Sequence, residues 1–124
     1  MFQATLLSRK SAGLFSFAAA LLIALTAPQV SKAGTVDSYC TPDEVAVFAP
    51  RIHVRCAAAV GNIRYFALST ADQAQTARIL SVLNTALVAG KTLVIRYDPS
   101  DLSGTAVGCL STDCRMIQGV AIEK

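Results

Sequence analysis

The chain has 124 residues, a formal net charge of +3 and a hydrophobic fraction of 53%. The first 33 residues inflate both values. In the remainder Arg51, Arg55, Arg64, Arg78, Lys91, Arg96, Arg115 and Lys124 face Asp37, Asp43, Glu44, Asp72, Asp98, Asp101, Asp113 and Glu123, eight against eight. No net field is left to gather phosphates, and the only aromatic rings there are Tyr39, Phe48, Tyr65, Phe66 and Tyr97. Nucleic acid is therefore not the expected partner.

Residues 1–33 read as a cleavable secretory signal. Arg9 and Lys10 precede an apolar run from Ala12 to Ala27, Pro28 breaks it, and Ser31-Lys32-Ala33 offers small residues for cleavage after Ala33. The run is shorter than the ~20 residues a spanning helix needs, so no membrane span is expected once the signal is gone. Residues 34–124 are then one exported domain, secreted or periplasmic. A domain this small buries only about 60–65% of its unfolded surface and leans on cross-links or oligomerisation. Its four cysteines, Cys40, Cys56, Cys109 and Cys114, read as two disulfides. The turn Leu110–Asp113 makes Cys109–Cys114 easy to close, which leaves Cys40–Cys56, although spacing alone leaves the crossed pairings open. Zinc would need a second close cysteine pair or several histidines, and the chain has only His53. A redox pair would favour C-x-x-C. No metal and no cofactor are expected.

In chain order, residues 34–44 are polar and turn-rich and read as an extended arm or loop. Val45–Pro50 is a short strand closed by its proline. The run 51–59 alternates, with Ile52, Val54 and Cys56 on one face and Arg51, His53 and Arg55 on the other. Gly61-Asn62 marks a tight turn into a second hairpin strand, 63–69. Ser69–Asp72 resembles a capping box, and the glycine-free run to Gly90 predicts a helix of about 18 residues. Ile79, Leu80, Val82, Leu83, Ala86 and Leu87 form its apolar arc. The opposite face, with Ala74, Ala77, Arg78, Ser81, Asn84, Thr85 and Val88, holds a single charge. Such a face suits contact with another subunit, through Arg78, Ser81 and Thr85. Strands over 91–98 and 114–122 complete the chain, separated by a turn-rich loop. Strand, strand, strand, helix, strand, strand is the order of a small five-stranded Greek-key barrel, the OB-fold, in a mainly β protein with one helix.

No motif ties a serine or carboxylate to His53, so catalysis is not expected. Anion binding is a better candidate. Arg51, His53 and Arg55 share a strand face, and guanidinium groups pair bidentately with carboxylates.

Three stretches carry a family resemblance: YCTPDEV (Tyr39–Val45), SVLNTALVAGKTLVIRYD (Ser81–Asp98) and GCLSTDCR (Gly108–Arg115). They are similar to the B subunits of A–B-type bacterial toxins, above all the subtilase-cytotoxin B subunit. The resemblance implies a homopentamer that binds cell-surface glycans and accompanies a separate catalytic A subunit. It also implies that Thr41, beside Tyr39, supplies a hydroxyl to a sialic acid; Cys40 and Pro42 are departures from the family's stretch. The expected function is an exported, ring-forming, glycan-binding subunit whose ligand residues are Tyr39, Thr41, Arg51, His53 and Arg55. The alternative is a small periplasmic scaffold or inhibitor that binds a protein partner and no sugar.

Overall fold

The two hydrophobic periods of the sequence are carried into a mainly β structure with one helix. A computed structural model describes residues 34–124; the expected signal at 1–33 and its cleavage after Ala33 lie outside these residues. The elements are β1 (Val36–Cys40), β2 (Pro42–Val47), β3 (Arg51–Val60), β4 (Ile63–Ser69), α1 (Gln73–Ala89), β5 (Leu93–Tyr97), a 3₁₀ turn over Ser103–Val107, β6 (Cys114–Met116) and β7 (Gly119–Ile122). They form two sheets, one ordered β1-β5-β7 and the other β2-β3-β4-β6. All pairings are antiparallel except β4 with β6, which is parallel.

Seven strands replace the five expected. The segment 34–44, expected as an arm or loop, is already paired: Asp37 lies opposite Arg96 and Tyr39 opposite Val94. The strand expected over Val45–Pro50 begins earlier and stops at Val47, where Phe48 N–H turns back to bond Arg51 O at 2.7 Å. Thr41 alone separates β1 from β2, and here the chain passes from one sheet to the other. The last expected strand, 114–122, is likewise split. Ile117 N–H bonds Ala67 O while Gln118 N–H bonds Arg96 O, so adjacent amides serve different sheets.

The helix forms where its period predicts. Asp72 is its N-cap, with Oδ1 accepting from Gln75 N–H at 3.0 Å. The capping box expected from Ser69 is thus replaced by a simple Asp cap; Ser69 Oγ instead accepts from Ala71 N–H within the preceding turn. Gly90 closes the helix in the left-handed conformation, φ 62°, which glycine adopts without Cβ strain. Ile79, Leu83 and Ala86 are buried against Ile52, Val54, Phe66, Leu93 and Ile95. Each large aliphatic side chain so covered contributes about 1.5–3 kcal/mol. The disulfide Cys40–Cys56 sits inside this core and ties the β1–β2 junction to β3. The second, Cys109–Cys114, closes a loop that packs with Ala67, Tyr65 and Met116 into a smaller cluster on the outer face of β4. The pairing is the uncrossed one. Among the described residues no helix is long and apolar enough to cross a membrane.

Candidate functional site

The smaller cluster changes the character of β3's second face. Arg51, His53 and Arg55 do alternate with the core residues, but the face is not open to solvent. His53 is 8% exposed, walled by the Phe48 and Tyr65 rings, each 5.2 Å away between centroids. The strand alternation places His53 away from the core, and it is these two neighbours, with the Cys109–Cys114 loop beyond them, that bury it. What stays open is a cleft of about 440 Å³. Glu44, Arg51, His53, Arg55, Tyr65 and Asp113 give it its chemistry, with Gly108, Leu110 and Cys114 along the loop side.

Two bulges build this arrangement. The β2–β3 register shifts between Pro42 and Glu44, so neighbouring carboxylates reach the same side. Arg55 Nε donates to Asp43 Oδ1 at 2.8 Å, and Arg55 Nη1 lies 3.2 Å from Glu44 Oε2. The hydrogen bond that Arg55 donates to Asp43 raises the Arg55 pKa further, with smaller help from the charges of Asp43 and Glu44. Glu44 Oε1 meets His53 Nε2 at 3.2 Å, so one carboxylate bridges histidine and arginine. The β3–β4 register shifts between Arg55 and Val60. Unbroken pairing from Val60↔Ile63 would set Ala58 opposite Tyr65; the bulge puts Arg55 there and brings Tyr65 into the cleft.

Arg51 plays a different part. Its Nη1 donates to Val107 O at 2.7 Å, and its guanidinium carbon stands 4.7 Å over the Phe48 ring. Its Nε is shut off from solvent and has no hydrogen-bond partner. The side chain acts as a strap between β3 and the 3₁₀ turn. Asp113 supplies its backbone carbonyl to the amides of Arg64 and Tyr65, at 2.8 and 3.0 Å. Its carboxylate enters no ion pair among the described residues.

No family model and no curated protein matches the chain.

Of the five ligand residues expected from sequence, Arg51, His53 and Arg55 come together in the cleft. Tyr39 and Thr41 are not among its lining residues. Tyr39 is exposed on β1, and Thr41 Oγ1 lies 3.2 Å from Thr92 Oγ1 at the sheet crossing. Asp37, also on β1, makes a two-pronged pair with Arg96, each contact 2.8 Å; that hydrogen bonding holds the Asp37 carboxyl below its ordinary value. Arg96 is therefore engaged elsewhere. On the helix, Arg78, Ser81 and Thr85 are exposed, as is Val88 at 88%. Thr85 and Arg78 bond carbonyls of their own helix. Sequence reasoning missed Glu44, Tyr65 and Asp113. The first was assigned to a loop, the second depends on the bulge, and the third looked like an ordinary turn aspartate. Among the described residues no group of three or more His, Cys, Asp or Glu side chains could hold a metal ion.

Proposed function

We propose that the protein is an exported, glycan-binding subunit that assembles into a homopentameric ring and accompanies or delivers a separate catalytic chain. This is the role implied by its likeness to toxin B subunits. The observation that carries the binding half is the cleft itself. It is concave and of ligand size, with aromatic surface from Tyr65 beside several fixed polar groups, and ligand sites share that composition. The reading is of binding rather than catalysis because His53 is 8% exposed with a ring on either side, which leaves its imidazole little room to meet a substrate.

An OB-type barrel is the frame proposed for it. Counting β1–β2 and β6–β7 as one bent strand each, every one of five strands has two partners, and the helix falls between the third and fourth. Two disulfides within so short a domain support export. The near-uncharged exposed face of α1 supports packing against sister helices, and a ring multiplies weak single-site binding through avidity. Tyr39 and Thr41 form a second candidate sugar contact, on the resemblance alone.

One observation favours the scaffold alternative. Phe48 and Leu110 are exposed apolar side chains beside the cleft, and they suit a protein partner. A glycan array separates the two. Oxidised protein is expected to bind a restricted set of glycans, and Tyr65→Ala is expected to abolish that binding while leaving the fold intact. Silence across the array with retained binding to a protein partner would move the assignment to the scaffold.

A further inference from the structure

We propose that the Cys109–Cys114 disulfide is a redox latch on the cleft. A dithiol reductant opens it from the cleft side and frees the wall that carries Leu110 and Asp113, while Cys40–Cys56 keeps the main core closed. The inference goes beyond glycan binding and holds for any occupant of the cleft.

The two disulfides stand in different surroundings. Cys40 and Cys56 are 1% and 0% exposed and belong to the main core with Ile52, Val54 and Leu93. Neither lines the cleft. Cys109 and Cys114 belong to the smaller cluster on the outer face of β4, and Cys114, 6% exposed, lines the cleft. A thiolate must reach the sulfur that it attacks, so access decides which disulfide exchanges first. The cleft gives a small reductant a path to Cys114, whereas Cys40–Cys56 is reached only when the core opens. The exchange balances with the dithiol as the only co-reactant. One of its thiolates attacks Cys114 Sγ, and Cys109 leaves as a thiolate and takes up a proton. The second thiolate then displaces Cys114 from the mixed disulfide, and Cys114 is protonated in turn. Two protein thiols result, and the reductant is left as a disulfide.

The bond holds one wall of the cleft in place. Gly108, Leu110, Asp113 and Cys114 form that wall, and between the two cysteines Leu110, Ser111 and Thr112 are exposed. With no buried side chain among these three, the tip is otherwise tied by hydrogen bonds among the described residues. Cys114 N–H donates to Leu110 O at 3.0 Å, Asn62 Nδ2 to Thr112 O at 2.9 Å and Arg115 Nη1 to Ser111 O at 2.8 Å, the last two exposed. Exposed hydrogen bonds open locally at small cost, so without the disulfide the tip is free to leave the cleft. The carbonyl of Asp113 then loosens from the amides of Arg64 and Tyr65, which it now holds.

The test treats folded, oxidised residues 34–124 with increasing dithiothreitol at neutral pH and no denaturant. Free thiols are blocked with iodoacetamide and mapped by mass spectrometry, and amide hydrogen exchange is followed on the partly reduced protein. Cys109 and Cys114 are expected to be alkylated at a dithiothreitol concentration at least about tenfold below that needed for Cys40 and Cys56. Over that window exchange should quicken across 110–114 and at Arg64 and Tyr65, while 93–97 in the main core stays protected. Reduction of both disulfides together, or of Cys40–Cys56 first, would overturn the inference. So would selective opening of Cys109–Cys114 with exchange unchanged across 110–114, since the bond would then hold nothing that the hydrogen bonds do not. Neither readout uses a sugar, so a failed glycan array leaves this inference standing and a failed reduction series leaves glycan binding standing.

Discussion

Arg51 shows how far one residue's role shifts when its neighbours are known. Its place on β3 beside His53 and Arg55 suggests an anion ligand, yet its guanidinium is committed to Val107 O and the Phe48 ring. Gly108 makes that possible. It sits at φ 83°, and a Cβ there would collide with Arg51 Nη1. Gly108→Ala therefore pays twice, in left-handed backbone strain and in displacement of the strap. A loss of about 1–3 kcal/mol in denaturant-unfolding stability is expected, with weakened ligand binding because the 103–114 side of the cleft is released. A change within experimental error would mean the strap does not organise the cleft. The alternation of 51–56 was enough to place these residues on one face. It could not report that Phe48, Tyr65 and a disulfide loop cover that face, since those neighbours are brought in by turns and bulges without a sequence period.

At the level of elements, the helix and the β3–β4 hairpin were legible because their signals are local. The apolar arc of α1, its closing Gly90 and the Gly61-Asn62 turn all lie where period and turn chemistry put them. The split strands were not legible. Whether residues 36–40 form a loop or a strand depends on a partner, β5, more than fifty residues away, and a short polar stretch carries no trace of it. The junction at Thr41 is secured by Cys40–Cys56, whose sulfurs are buried in the main core. Cys109–Cys114 closes a much shorter loop, five residues apart against sixteen. Loop-closure entropy assigns about 3 kcal/mol to the first and about 2 to the second. Replacing each pair with alanine should destabilise in that order in urea melts. The short-loop variant should lose cleft binding out of proportion to its stability, because Cys114 lines the cleft. The reverse order of stability would place the anchoring of the fold in the wrong disulfide.

For the whole molecule, the exposed, nearly uncharged face of α1 is the surface that the proposed ring would use, and the balanced charge of residues 34–124 leaves no net field for a polyanion. The proposed ring separates a glycan-binding delivery subunit from a monomeric scaffold of the same fold. It requires Arg78, Ser81, Thr85 and Val88 to face sister subunits, where a substituted charge would be costly. The measurement that tests this most directly is the molar mass in solution of oxidised residues 34–124 by light scattering. Five times the monomer mass is the predicted result. A monomer at micromolar concentration would contradict the ring and with it the delivery role, and would leave the cleft as the site of a single-chain binding protein.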